Sequence, residues 1–175
     1  MQCKTQNYKI MDRQRHRMET SLSDLRNLEN LKAAFKFWED GTYQEKISLS
    51  VKLISDADKK TPIPVFGIKA FCDYIASYKF QPEEIYILGA QHENGKAIFN
   101  ESFLNYLQRI CFQFDLKAIE EGQSVLVGET VATINGNKIQ LKIIENTLIE
   151  MLTEQTFSNF QSIENQHFGF ELKQI

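Results

Sequence analysis

Side chains that commonly perform catalysis are spread thinly along this chain. The three histidines, His16, His92 and His167, lie far apart in the sequence. No second histidine follows His92 at the helical spacing of a zinc-protease motif. Glu120 and Glu121 are adjacent acids before a glycine, where side chains are usually solvated. The glycines occur singly and form no phosphate-binding loop. We therefore predict no catalytic residue and no metal site in this chain.

A lysine beside a turn signal raises a different kind of chemistry. Lys138 follows Asn135-Gly136-Asn137, the strongest hairpin signal in the sequence, because Asn and Gly both tolerate positive φ. Biotinyl and lipoyl carrier domains present their acceptor lysine at such a hairpin tip, usually beside a methionine. Lys138 has no methionine neighbour, and the long N-terminal half has no counterpart in a carrier domain. A carrier function is therefore disfavoured.

The composition fits one ordinary globular domain. The chain has 175 residues, of which 42% are hydrophobic and 25% are charged. A formal net charge of −3 disfavours a dedicated nucleic-acid binder. The three cysteines are far apart and form no Cys-x-x-Cys pair, which indicates reduced thiols and a cytoplasmic location. No apolar run approaches the roughly 20 residues of a membrane span, so we expect no membrane span.

The positions that carry chemistry depend on elements that the spacing of apolar residues predicts. Apolar residues recur at three- and four-residue steps from Leu22 to Trp38, which predicts a helix that Gly41 ends. Apolar and polar residues then alternate from Ile47 to Leu53, as in a half-buried strand. The polar, proline-containing segment 55–64 is predicted to be an exposed loop.

Three further helices are predicted in the next part of the chain. The first covers about 67–78. Pro82 suits the first turn of a second, short helix. A polar connection from Gly89 to Gly95 leads to a third helix at 101–110, for which Asn100 is a suitable N-cap.

From residue 112 the apolar period changes to two. Short strands are predicted at 112–118, 125–127, 131–133 and 139–143. The last helix is predicted at about 144–160. Helices flanking a small antiparallel sheet indicate the α+β class.

Several short motifs, taken in order, resemble one enzyme family. They are Phe37-Trp38-Glu39-Asp40-Gly41, Val65-Phe66-Gly67-Ile68, Phe80-Gln81-Pro82-Glu83-Glu84, Phe103-Leu104-Asn105-Tyr106-Leu107, the Glu121-Gly122 turn and Val127-Gly128-Glu129. Their order and spacing resemble the N-terminal domain of a type II phosphoribosyltransferase, most closely nicotinate phosphoribosyltransferase. The resemblance covers about residues 36–157. It implies a barrel-sandwich, α/β-hammerhead-like fold, as in the N-terminal domains of nicotinate and quinolinate phosphoribosyltransferases.

The resemblance also implies a role in NAD salvage. Complete enzymes of the family transfer phosphoribosyl from phosphoribosyl pyrophosphate to nicotinate, use ATP and Mg²⁺, and act as dimers. Their N-terminal domain roofs the partner's active site, while an α/β barrel supplies the phosphate loops and the catalytic histidine. No barrel pattern follows Thr156. We therefore expect the isolated chain to be inactive, to bind no cofactor of its own, and to form a homodimer or join a barrel-bearing partner chain.

Two substrate contacts are implied by the same resemblance. A family tyrosine that stacks on the nicotinate ring matches Tyr8, although Gln6 replaces the family's aspartate nearby. A family arginine that reaches a phosphate matches Lys52. Lysine can pair with phosphate as a point charge but cannot form a bidentate contact. An ordinary tail tyrosine and an exposed strand lysine are the competing interpretations.

Two functional hypotheses follow. In the first, the chain is the N-terminal part of a nicotinate phosphoribosyltransferase. In the second, the domain is a non-catalytic binding or assembly module, such as a structural subunit. We predict a basic, flexible arm at 1–18, one domain at 19–160 and a divergent tail at 161–175.

Overall fold

A computed structural model of the protein describes residues 27–55, 61–159 and 168–175. The α+β class is confirmed, because a small antiparallel sheet is flanked by helices. Helix α1 covers residues 27–39 of the described part. The other elements follow in chain order: β1 (Lys46–Ser55), β2 (Ile63–Pro64), α2 (Ile68–Ser77), α3 (Pro82–Gly89), β3 (His92–Glu93), β4 (Lys96–Ala97), α4 (Glu101–Arg109), β5 (Phe114–Ala118), β6 (Ser124–Val125), β7 (Thr130–Asn137), α5 (Lys138–Asn159) and β8 (Phe168–Gln174).

The main sheet has four antiparallel strands in the order β5-β7-β1-β8. In β1, Leu49 lies opposite Ile134 of β7, and Leu53 lies opposite Phe170 of β8. These side chains share one face of the sheet, because successive residues of a strand point to opposite sides. All four are buried in the main hydrophobic core. The alternating pattern of the sequence therefore predicted β1 and its buried face correctly.

An irregularity in β7 changes which residues enter the core. Val51 pairs with Ala132 and Lys52 pairs with Thr130, so Val131 is an extra residue between the two pairs. Such a bulge lets two successive side chains avoid strict alternation. Val131 and Ala132 are both buried.

Strand β8 lies in the segment that the sequence analysis assigned to a divergent tail. Residues Phe168–Gln174 pair with β1 from Leu49 to Ser55 and form an edge of the main sheet. The predicted division into an arm, a domain and a tail remains a prediction, because residues 1–26 and 160–167 lie outside the described part of the chain.

The predicted hairpin at Asn135-Gly136-Asn137 is wrong. These residues form the end of β7, and Gly136 pairs with both Ile47 and Phe114. A Cβ atom at Gly136 would lie 3.1 Å from the side chains of Phe114 and Leu141. Glycine is therefore favoured here by close packing rather than by a turn.

The Asn-Gly turn lies instead in the predicted polar connection. Asn94 and Gly95 have φ values of 52° and 76° and join β3 to β4. Two successive residues with positive φ are what a tight hairpin turn requires. The connection from Gly89 to Gly95 is thus corrected to a helix end followed by a hairpin.

Helix α5 begins at Lys138, so the strand predicted at 139–143 is wrong. Ile139, Leu141, Ile143 and Ile144 are all at most 7% exposed in the first two turns of this helix. A helix that is buried on most sides shows no clear polar face, so its pattern resembles alternation over a short window.

The predicted exposed loop at 55–64 is also corrected at its end. Ile63 and Pro64 form β2 and pair with Val125 and Ser124 of β6. Ile63 is only 1% exposed. The composition of the segment could not reveal this pairing, because β6 lies far away in the sequence.

The predicted helix boundaries from local signals are confirmed in three places. Gly41 has a φ of 69°, and its N–H donates to the carbonyl of Trp38 just past α1. Asn100 Oδ1 accepts a hydrogen bond from Phe103 N at 2.9 Å at the start of α4. Pro82 is the first residue of α3, as predicted, and Gln81 and Glu84 form a capping box around it.

Candidate functional site

The structure tests neither of the two predicted substrate contacts. Tyr8 lies outside the described residues. Lys52 lies in β1, opposite Thr130 of β7 on one side and Glu171 of β8 on the other. Its side chain is half-buried. A contact between Lys52 and a phosphate remains a prediction.

Lys52 belongs to a hydrophilic face of the main sheet, on the side opposite the core. We call this surface the polar sheet face. It is formed by residues that share the orientation of Lys52 across the strand pairs, namely Lys46, Ser48, Ser50, Lys52, Asp115, Lys117, Thr130, Thr133, Asn135, Glu171 and Lys173. Four lysines and two acids give this face a formal charge of +2. It is therefore suited to lie against an anionic partner or ligand.

Hydrogen bonds organise the centre of the polar sheet face. Ser48 Oγ donates to Asn135 Oδ1. The hydroxyls of Ser50 and Thr130 are 3.2 Å apart, which satisfies the buried Ser50 side chain. Short hydroxyl and amide groups therefore occupy the middle of the sheet, while exposed lysines such as Lys46 and Lys117 lie towards its edges.

Among the described residues, one of the four lysines on this face has a recorded salt bridge. Lys173 Nζ lies 3.1 Å from a carboxylate oxygen of Glu171 in β8. Within the described residues, the structure records no salt bridge to Lys46, Lys52 or Lys117. These three cations are therefore the ones available to an anion that approaches the sheet.

A cleft of about 830 Å³ opens at one end of the polar sheet face and shares Lys46, Asp115 and Asn135 with it. We call it the cationic cleft, because Lys46, Lys79 and Arg109 line it together with a single acid, Asp115. Lys52 is not among its lining residues. The structure therefore brings together three cations that the sequence analysis did not group. No sequence signal could have done so, because they come from β1, the segment after α2 and the end of α4.

The wall of the cationic cleft between α4 and β5 is fixed by Gln140. The side chain of Gln140 is 8% exposed. Its Oε1 accepts a hydrogen bond from Gln113 N at 2.8 Å, and its Nε2 donates to the carbonyl of Cys111 at 3.2 Å. Burial raises the pKa of the nearby Tyr106 phenol, while a hydrogen bond from Gln140 acts in the opposite direction. Gln140 therefore joins α5, α4 and the cleft wall.

Two cysteines line the cationic cleft. Cys111 is exposed, whereas Cys72 is partly buried. Burial is the largest cause that raises the pKa of the Cys72 thiol, and the nearby Asp73 carboxylate adds to it. Because the thiolate is the reactive form, the raised pKa slows alkylation of Cys72. The exposed thiol of Cys111 is therefore the more accessible target for an alkylating reagent.

Glu121 has a structural role that the sequence analysis missed. Its carboxylate accepts hydrogen bonds from Gly67 N at 2.5 Å and from Lys69 N at 3.2 Å, at the start of α2. The predicted solvent exposure of this side chain is confirmed. The capping function could not be predicted, since a capping box joins residues three positions apart and this contact joins distant segments.

The described residues offer no metal centre, because no three histidine, cysteine or acidic side chains among them come close enough to share an ion. Within the same part of the chain, no helix has the length and apolar character needed to cross a membrane.

The architecture has a counterpart among solved structures. The crystal structure of human nicotinic acid phosphoribosyltransferase superposes with a TM-score of 0.63 over 73% of this chain. The chain shares a fold with part of that protein. The sequence identity is 12%, so the likeness concerns the fold alone. NadC from Streptococcus pyogenes also matches 73% of this chain at 13% identity, with a TM-score of 0.32.

The similarity involves only a portion of each solved protein. It spans 25% of the human phosphoribosyltransferase and 36% of NadC. In sequence comparisons, no protein-family model and no curated protein matches the chain. The structural likeness thus agrees with the expected fold and leaves substrate, activity and partners to be tested.

Proposed function

We propose that this chain is the N-terminal part of a nicotinate phosphoribosyltransferase that acts in NAD salvage. The observation that carries the proposal is the shared fold with human nicotinic acid phosphoribosyltransferase, at a TM-score of 0.63 over 73% of this chain. The reaction would join nicotinate to the phosphoribosyl group of phosphoribosyl pyrophosphate. Because fold alone does not establish function, the proposal needs tests of the activity and of the assigned site.

In this proposal the chain supplies a roof and no catalytic group. The phosphate loops, the catalytic histidine and the sites for ATP and Mg²⁺ belong to an α/β barrel, either in a partner chain or in a longer form of this protein. The isolated chain is then inactive, because the transition state needs charge stabilisation that the roof does not provide. Assembly as a homodimer, or with a barrel-bearing chain, completes the site.

The polar sheet face is the surface that the proposal assigns to the roof. It carries Lys46, Lys52 and Lys117 without recorded salt bridges among the described residues. Phosphoribosyl pyrophosphate is strongly anionic, and cations near its phosphates favour its binding. Lys52 is half-buried, so its charge is screened less than that of a fully exposed lysine.

The first test is isolation of the tagged chain from its natural source, followed by an assay for nicotinate mononucleotide. We expect a barrel-bearing polypeptide in equal amounts, or the barrel as part of the same chain. The purified assembly should turn over nicotinate with phosphoribosyl pyrophosphate and MgATP. Recovery of the chain without any barrel, or an assembly without turnover, contradicts the proposal.

Variants of Lys52 test the assigned contact within that assembly. Lys52→Ala is expected to raise the KM for phosphoribosyl pyrophosphate by about tenfold, the size expected for loss of one charged contact of about 1.4 kcal/mol. Lys52→Arg should retain most of the affinity, because it keeps the charge. Lys96→Ala, which removes an exposed lysine of β4, is the matched control and should leave the KM unchanged. Equal KM values for Lys52→Ala and the control would remove Lys52 from the site.

A non-catalytic assembly module is the second candidate. The observation that favours it is exposed apolar surface on two helices, since Tyr86 of α3 is 79% exposed and Phe157 of α5 is 61% exposed. Apolar residues that are exposed together in a contiguous patch mark a surface that a partner can cover. Under this alternative, an assembly isolated from the source contains a defined partner, shows no phosphoribosyl transfer, and dissociates when Tyr86→Ser or Phe157→Ser is introduced.

A further inference from the structure

We propose that the cationic cleft binds a small phosphorylated molecule that carries a planar ring. The cleft lies beside the polar sheet face and is lined by Lys46, Lys79, Arg109, Asp115 and three aromatic residues. This site goes beyond the proposed transferase role.

The charge of the cleft points to an anion. Lys46, Lys79 and Arg109 are all exposed and belong to separate elements, yet they line one cavity in a protein with a formal net charge of −3. Asp115 is the single acid among the lining residues, which leaves a formal charge of +2. No salt bridge to any of these four side chains is recorded within the described residues. With no acidic partner recorded within the described residues, these cations are available to pair with a phosphate group.

The chemistry of the cations favours phosphate over a single carboxylate. Arg109 can donate two parallel hydrogen bonds to phosphate oxygens, whereas Lys46 and Lys79 act as point charges. A net lining charge of +2 matches a phosphate monoester or diphosphate better than a monovalent acid.

Aromatic side chains that line the same cleft favour a ligand with a planar ring. Tyr78, Phe112 and Phe114 line the cavity and are half-buried, so each leaves part of its ring surface accessible. Tyr78 and Phe112 have ring centroids 6.2 Å apart, which makes them neighbours on one wall. A planar ligand ring can pack against such a wall in an offset or tilted arrangement. The volume of about 830 Å³ lies within the range of about 300–1,000 Å³ that holds small ligands.

Hydrogen bonds with a buried side chain hold one wall of the cleft in place. Gln140 fixes the backbone of Cys111 and Gln113 through hydrogen bonds of 3.2 and 2.8 Å. Binding then costs little ordering of the wall, which favours affinity.

The cleft is separate from the contact assigned to Lys52. Lys46 and Lys52 lie six residues apart on β1, which corresponds to about 20 Å along an extended strand. A small molecule in the cleft therefore does not reach Lys52. Lys46 belongs to both surfaces, but Lys52 lies outside the cleft, and Lys79 and Arg109 lie outside the polar sheet face. Variants of these three residues therefore let the two proposals fail independently.

Protection of Cys111 from alkylation tests the site, because this exposed thiol lines the cleft. The full chain is treated with iodoacetamide at low ionic strength, and modification of Cys111 is followed by peptide mass spectrometry. ADP is the probe, adenosine supplies the ring without phosphate, and pyrophosphate supplies phosphate without the ring. We expect ADP to slow alkylation of Cys111 at least fivefold and saturably, with half-protection below about 1 mM. Adenosine should give no protection. Pyrophosphate should reach half-protection of Cys111 only at a concentration about tenfold higher than that of ADP.

Charge variants complete the test. Arg109→Ala and Lys79→Ala should each raise the ADP concentration for half-protection about tenfold or more, because each removes a charged contact to phosphate. Lys96 lies outside the cleft. Lys96→Ala should therefore change the ADP concentration for half-protection by less than about twofold. The absence of ADP protection, or equal protection in Arg109→Ala and the control, overturns the site. Equal protection by pyrophosphate and ADP overturns the assignment of the ring.

Discussion

The hydroxyl of Thr156 forms two hydrogen bonds with the backbone of a single residue, Phe66. It accepts a hydrogen bond from Phe66 N at 3.0 Å and donates one to Phe66 O at 3.1 Å. Thr156 is fully buried in α5. Phe66 lies just before α2, so this pair joins the last long helix to the start of α2 and satisfies two backbone groups that have no strand partner there.

Replacing Thr156 with valine should be strongly destabilising. Thr156→Val keeps the shape of the side chain but leaves the N–H and the C=O of Phe66 without their partner, at a cost of about 2 kcal/mol or more in the free energy of unfolding. Thr156→Ser keeps the hydroxyl and removes one buried methyl group, which costs about 1 kcal/mol. Urea unfolding of both variants measures the difference. Equal losses in the two variants would show that the methyl group, and not the hydroxyl, stabilises this junction.

Two glycines with positive φ should differ in their tolerance of alanine. At Gly67 φ is 111°, and an added Cβ would lie 2.7 Å from the carbonyl oxygen of Met151. Gly67→Ala should therefore cost about 3 kcal/mol or more, because it adds a clash with backbone to an unfavourable conformation. At Gly41 φ is 69° and nothing lies within 4 Å of the added Cβ. Gly41→Ala should cost only about 1 kcal/mol. Thermal and urea unfolding of the pair check this order, and a reversal would mean that α5 moves readily away from residue 67.

Adjacent acids at 120 and 121 should contribute differently to stability. The Glu121 carboxylate bonds to Gly67 N and Lys69 N at the positive end of α2. Glu121→Gln should cost about 1 kcal/mol, because one amide oxygen replaces two charged acceptors. Within the described part of the chain, no side-chain bond of Glu120 is recorded, so Glu120→Gln should change stability by less than about 0.5 kcal/mol. Urea unfolding at low salt and at about 1 M salt measures both, and the Glu121 effect should shrink in salt. If Glu121→Gln lowers the free energy of unfolding no more than Glu120→Gln does, the capping role of Glu121 is contradicted.

Local patterns in the sequence predicted those parts of the fold that depend on local physics. The apolar stripe of α1, the cap at Asn100 and the place of Pro82 in the first turn of α3 each involve residues within one or two helical turns. The alternation in β1 placed Lys52 on the side of the sheet opposite Leu53. For these features the sequence neighbours are also the spatial neighbours, so the pattern and the structure agree.

The errors arose where distant residues decide the conformation. Asn135-Gly136 and Asn94-Gly95 carry the same turn signal, yet only the second pair forms a turn. Gly136 lies in a strand because Phe114 and Leu141 approach it closely. The cationic cleft could not be predicted for the same reason, since the tertiary fold alone brings its three cations to one cavity.

The free energy of unfolding should fall at high pH, because the phenol of Tyr106 ionises less readily in the folded protein than in the unfolded chain. Burial raises the pKa of its phenol above the ordinary value, and the hydrogen bond from Gln140 offsets this only in part. The folded state thus holds the proton more tightly than the unfolded chain, for which the pKa is about 10. The stabilisation is complete below that pH and is lost as the pH rises through the higher pKa of the folded state.

Tyr106→Phe should remove this pH dependence. At about pH 8 the variant should be less stable than the wild type by about 1 kcal/mol, because the hydrogen bond with Gln140 is lost. The difference should shrink as the pH rises above about 10, since the wild type alone must ionise this half-buried phenol or unfold. Urea unfolding of both proteins across this range measures the difference directly, and lysine titration affects the two alike. A constant difference would show that burial does not raise the pKa of Tyr106 in the folded protein.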